Sequence, residues 1–100
     1  MKYDDFLETV MIEYKGAKKK HPIFADEFCQ HWRVGFAKEQ EQKWKEINSH
    51  GKSRADSILK EELAEAITAY LENDKFHCLQ ELAQCAAVIF RMADFVEETL

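Results

Sequence analysis

A chain of 100 residues, 46 % hydrophobic and 33 % charged, is the size of one small domain with enough apolar material for a core. Its net charge of −5 is unevenly spread: residues 1–56 carry 11 basic and 10 acidic side chains, and residues 57–100 carry 3 and 9. An acidic second half argues against a broad nucleic-acid surface, which needs basic residues to displace counterions, and no apolar run is long enough to span a bilayer.

The start, Met1-Lys2-Tyr3-Asp4-Asp5, lacks the charged-then-apolar order of a signal peptide. Cys29, Cys78 and Cys85 are odd in number and show no C-x-x-C spacing, so they read as reduced thiols filling core space. A soluble cytoplasmic protein with no membrane or nucleic-acid partner is expected. Three glycines and one proline favour a few long helices over many short strands. The chain is therefore expected to be all-α, one domain over residues 1–100. A domain this short buries a modest share of its surface, so oligomerisation is expected to complete the core.

The first helix is expected over about Asp4–Lys19, with Phe6, Leu7, Val10, Met11 and Tyr14 at helical spacing, Asp4 or Asp5 as cap, and Lys18–Lys20 at the carboxyl end. His21-Pro22 ends it, because the residue before proline avoids the α region. A second helix is expected from about Asp26 to Ile47. Phe24, Phe28, Trp32 and Phe36 recur every four residues and read as core more readily than as a base-stacking platform. Close approach of a neighbouring helix would explain Gly35 within that stripe.

Asn48–Arg54 reads as a loop, after which Asp56 or Ser57 can cap a third helix to about Glu72 that buries Leu59, Leu63, Ala66, Ile67 and Tyr70. Asn73-Asp74 makes a short turn into a fourth helix, about Lys75–Glu98. One of its faces holds Phe76, Leu79, Leu82, Ala83, Ala86, Ile89, Phe90 and Ala93, and another Cys85, Val88, Met92 and Phe95. A helix apolar nearly all round is expected to be central, an oligomer interface, or both.

Glu62 and Glu65 share a helical face, as do Glu81 and Gln84, and the short intervening turn makes their helices antiparallel neighbours. Glu62 and Glu65 lie on the side of Ile58 and Ala69, away from Glu61, Thr68 and Glu72. Carboxylates on semi-apolar faces are costly unless paired or bound to a cation, and hard oxygen donors suit Mg²⁺ or Mn²⁺. The plainer alternative is that these glutamates flank the core and form surface ion pairs. His77 and Glu81, four apart, are a further candidate metal pair, though a capping or surface role suits such a histidine better. No H-E-x-x-H, P-loop, G-x-G-x-x-G or paired Glu-x-x-His motif is present.

Gln40–Trp44, Ile58–Ala66 with its Glu62-x-x-Glu65, and Leu79–Val88 with its Glu81-x-x-Gln84 together resemble the MazG-related proteins of phages and bacteria. That family carries E-x-x-E on one helix and E-x-x-D on the next. The resemblance covers about residues 38–98 and leaves 1–37 as an N-terminal helical extension. It implies a four-helix MazG-like bundle, a homodimer or homotetramer, and Mg²⁺-dependent hydrolysis of a nucleoside triphosphate to monophosphate and pyrophosphate. Glu62, Glu65 and Glu81 would then be the catalytic metal-holding carboxylates, with Gln84 beside them and Glu61 as an outer partner or base candidate. Gln84 departs from the family's aspartate and brings no charge, although some phage-type members resemble this chain in having glutamine there. The alternative is a non-catalytic helical protein of the same fold that binds nucleotides or protein partners. Lys52, Arg54, Lys60, Lys75 and Arg91 are the nearby cations for phosphate, with Lys60 and Arg91 preferred as substrate contacts. Trp44 is a candidate for stacking on a base, with a core role as its alternative.

Overall fold

The computed structural model describes residues 3–51 and 53–100, so Met1, Lys2 and the candidate cation Lys52 lie outside the described residues. Among these, four α-helices and no strand are found: α1 (Tyr3–Lys20), α2 (Val34–Ser49), α3 (Ala55–Leu71) and α4 (Lys75–Thr99). No helix is long and apolar enough to cross a membrane. The all-α reading is thus met. The chain divides into two compact units, Met1–Phe28 with Phe90–Leu100, and Cys29–Ile89.

In the first unit, α1 has Asp4 and Asp5 in its first turn and Lys18, Lys19 and Lys20 in its last, the charge order the helix dipole favours. Both aspartates stand inside the helix, since it begins at Tyr3. The His21 N–H donates to the Ala17 carbonyl at 2.8 Å, closing the last turn before Pro22. Phe6 meets Phe90 edge-on, with ring centroids 4.8 Å apart.

The expected start of the second helix at Asp26 is corrected to Val34, inside the second unit. The stretch Asp26–Trp32 is irregular, and Phe24 is 96 % exposed, so the four-residue aromatic spacing does not mark a core stripe. Phe, Cys, His and Trp are indifferent helix formers, and spacing alone does not offset that. Only the end of the pattern acts as a pair: Trp32 packs edge-on to Phe36 at 4.8 Å across the helix start. A Cβ on Gly35 would meet nothing within 4 Å, so no close helix approach explains this glycine.

α2 packs on α3 through small residues, Ala37 from one helix and Ala64, Ala66 and Ala69 among those buried on the other. Asn48 and Ser49, expected in the loop, belong to the last turn of α2. Asn48 Nδ2 donates to the Ser57 carbonyl at 3.1 Å and to Glu61 Oε1 at 2.8 Å, and Ser57 Oγ donates to Asn48 Oδ1 at 2.7 Å. Ser57 also accepts from the Arg54 N–H at 3.0 Å, working from the third helical position rather than as the cap itself. Gly51 takes a φ of +74° just past α2, where glycine alone is unstrained.

α3 buries Ala66 and Ile67 as expected, whereas Leu63 and Tyr70 are exposed and Thr68, placed on the polar side, is buried. The Thr68 hydroxyl is satisfied by donating to the Ala64 carbonyl at 2.9 Å. On α4 the buried residues are Cys78, Glu81 and Cys85, a single narrow stripe. Phe76, at 74 %, and Leu79, at 56 %, are exposed, so α4 is not buried nearly all round within one chain. Cys78 and Cys85 do fill core space as free thiols.

Gly35→Ala should stabilise the protein by about 0.5–1 kcal/mol, because the added methyl meets open space and removes unfolded-state freedom. Asn48→Ala should cost about 1–3 kcal/mol by removing its hydrogen bonds to the Ser57 carbonyl, the Ser57 hydroxyl and Glu61. Urea unfolding of both variants measures the two values; a destabilised Gly35→Ala contradicts the open space found at the start of α2, and a stabilised Asn48→Ala contradicts this account of the α2–α3 junction.

Candidate metal centre

The α3–α4 turn decides which glutamates meet. Asn73 adopts a φ of +59°, the Asp74 N–H donates to the Ala69 carbonyl at 2.9 Å, and the Asn73 N–H donates to the Tyr70 carbonyl at 3.0 Å. This is a Schellman ending, with asparagine in the left-handed position. Asp74 then caps α4, its Oδ1 accepting from the His77 N–H at 3.1 Å. Glu65 and Glu81 stand at nearly equal distances along the chain from this two-residue turn, so helix rise brings them to the same level. Glu62 joins them from one turn further along α3.

The three carboxylates converge, with one oxygen from each of Glu62, Glu65 and Glu81 lying within 4.8 Å of the others. Glu81 is only 6 % exposed, and Glu62 and Glu65 are half-buried. Glu62 Oε2 and Glu81 Oε2 are buried without a hydrogen-bond partner, and such groups normally find one. Burial, followed by hydrogen bonds to Glu65 and Glu62 and by their charges, pushes the Glu81 carboxyl up to about 8. Burial also raises Glu62, as do the charges of Glu65 and Glu61, while its hydrogen bond to Glu81 acts the other way. The donor set fits a hard divalent cation: three carboxylates, two buried oxygens without partners and, among the described residues, Lys45 at the edge as the lysine paired with a member.

His77 Nε2 lies 3.1 Å from Glu81 Oε1, and its Nδ1 lies 4.0 Å from Asp74 Oδ2, so the ring bridges the α4 cap and the carboxylate cluster. Cys85, one turn beyond Glu81, is buried, and burial with the charges of Glu62, Glu81 and Glu65 pushes its thiol up to about 11. That disfavours the thiolate and any nucleophilic role.

The other expected site residues divide. Glu61 accepts from Asn48 Nδ2, which ties α3 to α2, and it is not among the three converging carboxylates. Gln84 is exposed. Trp44 is half-buried and holds two ammonium groups over its ring, Lys43 at 4.9 Å and Lys60 at 4.8 Å. Lys60 also pairs with Asp56 at 3.7 Å. Neither Trp44 nor Lys60 lines the cleft beside the carboxylates, and Arg91 is exposed in the other compact unit.

That cleft, about 460 Å³, is walled by α2 and α3 with His77 at one side, and it contains Lys38, Gln42, Lys45 and Glu65. Lys45 Nζ sits 2.8 Å from Glu41 and 3.6 Å from Glu65. Lys38 lies 3.5 Å from Glu72. These α2 cations were missed by attention to the glutamate helices. Their signal was the spacing of Lys38, Gln42 and Lys45, which places them on one face of α2. Compared with family models, curated proteins and solved structures, the chain gives no match.

The raised Glu81 carboxyl has a pH consequence. The folded state holds a proton that the unfolded chain gives up near the ordinary value of 4.5. Its stabilising contribution is complete below that value and is lost as pH rises through about 8. Thermal melts in chelator should show a falling midpoint between about pH 5 and 8, and Glu81→Gln, neutral throughout, should flatten the fall. A wild-type midpoint that rises across this window contradicts the assignment.

Proposed function

We propose that this chain is a Mg²⁺-dependent nucleoside triphosphate pyrophosphohydrolase related to the MazG proteins, able to use Mn²⁺ in the same place. The observation that carries the reading is the convergence of Glu62, Glu65 and Glu81 with buried oxygens lacking partners. The E-x-x-E and E-x-x-Q order that resembles the MazG family supports it, and the adjoining cleft of about 460 Å³ is of a size that takes a nucleotide.

Glu62, Glu65 and Glu81 would hold the cation, and Gln84 offers at most a neutral oxygen. When bound, Mg²⁺ supplies positive charge to phosphate oxygens and acidity to a water molecule. The protein's own part is to fix the carboxylates on two rigid helices, to exclude water behind Glu81, and to orient Glu81 through His77. Three carboxylates against one divalent cation leave a net negative centre, so the phosphate chain also needs protein cations.

We infer that copies of the chain associate, as a homodimer or homotetramer. Among the described residues no large side chain is fully buried, while Leu63, Tyr70, Phe76, Leu79 and Ile89 stand exposed on α3 and α4. Exposed apolar side chains in that number mark an interaction surface.

Purified protein incubated with a panel of ribo- and deoxyribonucleoside triphosphates and Mg²⁺ or Mn²⁺ should release pyrophosphate. Glu62→Gln should lower the rate on the order of 10²-fold. Absence of release from both wild type and Gln84→Asp contradicts the enzyme reading. Metal uptake without turnover would point instead to a non-catalytic nucleotide-binding or protein-interaction role.

A further inference from the structure

Lys45 stands where two demands meet. Its ammonium lies 3.6 Å from Glu65 Oε1, an oxygen of the carboxylate cluster, and 2.8 Å from Glu41 Oε1 on its own helix. It is the only lysine paired with a member of the cluster among the ion pairs of the described residues. The same side chain lines the cleft, together with Lys38 two turns away along α2 and Gln42 between them. Small residues on α3, Thr68 and Ala69, border the space opposite and leave it open. Within the cluster, Glu81 is 6 % exposed and its Oε1 is met by His77, while its Oε2 has no donor from outside the cluster, so the cluster has a bond to offer that Lys45 does not fill.

Without a divalent cation, Lys45 is the positive charge that faces Glu65. A dication taken up by Glu65 would lie within a few ångströms of the ammonium and repel it. The ammonium keeps its partner on Glu41, and its remaining donors are then free to turn from Glu65 to another anion in the cleft. Lys38, on the same helical face, is held by Glu72 at 3.5 Å, a pair with both side chains about half exposed and therefore readily opened.

We propose that Lys45 is a substrate contact: it occupies Glu65 in the cation-free protein and turns to the phosphate oxygens of a diphosphate-containing ligand once the divalent cation is bound, with Lys38 contacting the same ligand further along α2. The proposal rests on the metal reading of the three glutamates. It directs the phosphate chain along α2, whose Lys38 and Lys45 line the cleft, rather than toward Lys60, which does not line it. It also gives one lysine effects of opposite sign. Lys45 competes with the metal for Glu65, and it assists the phosphate that the metal attracts.

Calorimetry with Mg²⁺ alone, then with inorganic pyrophosphate at saturating Mg²⁺, reads both effects without turnover. Lys45→Met should bind Mg²⁺ about two- to fivefold more tightly, the scale of a partly exposed ion pair. The same variant should bind pyrophosphate about 10- to 100-fold more weakly, the scale of a lost charge-assisted hydrogen bond. Lys45→Arg should keep pyrophosphate affinity within about threefold of wild type, since the charge and donors remain. A Lys45→Met variant whose two affinities fall together, or whose pyrophosphate affinity is unchanged, overturns the proposal. Wild-type protein that takes up no Mg²⁺ overturns the metal reading itself, a result distinct from either.

Discussion

Three carboxylates held within 4.8 Å, one of them almost fully buried, repel one another and forfeit hydration. The surrounding structure meets part of this cost locally. A proton retained by Glu81 up to about pH 8 meets part of it, as do His77 on Glu81 and Lys45 on Glu65. Two oxygens are still left over. A divalent cation would replace the proton, satisfy those oxygens and relieve the repulsion in one event, so its uptake is expected to release protons and to stabilise the fold.

The backbone makes this crowding hard to escape. Asn73 in the left-handed region and Asp74 at the start of α4 fix a two-residue hairpin of helices, so Glu65 and Glu81 cannot slide past each other without breaking the turn's hydrogen bonds. On the other side of α3, Asn48 ties Ser57 and Glu61 to α2 and keeps Glu61 out of the cluster. The small buried side chains of Ala37, Ala64, Ala66 and Ala69 let α2 lie against α3. That packing puts the lysines of α2 within reach of an anion in the adjoining cleft.

The legible parts of the sequence were those where local chemistry and long-range packing agree. The carboxyl end of α1 and the Asn73-Asp74 turn follow from proline, asparagine and aspartate acting on their own neighbours, and the convergence of Glu62, Glu65 and Glu81 follows from helical spacing across a short turn. The aromatic repeat of Phe24, Phe28, Trp32 and Phe36 misled because a four-residue spacing tests whether a helix would be amphipathic, not whether one forms; the segment before Val34 stays irregular. The exposed apolar residues of α4 were legible as apolar but not as uncovered, since burial depends on what packs against a helix. Lys45 was hidden for a related reason: its partner Glu65 is twenty residues away in sequence, and only the packing of α2 on α3 brings them together.

The central claim is that Glu62, Glu65 and Glu81 form one divalent-metal site, and the most direct measurement is a crystal structure of the protein grown with Mn²⁺, with the ion located by its anomalous scattering. A peak bonded to all three side chains, with the oxygens of Glu62 and Glu81 that now lack partners among its neighbours and bonds of about 2.1–2.2 Å, is the predicted result. Full uptake of Mn²⁺ at another position, or the three carboxylates unchanged and without a peak at saturating Mn²⁺, would contradict it.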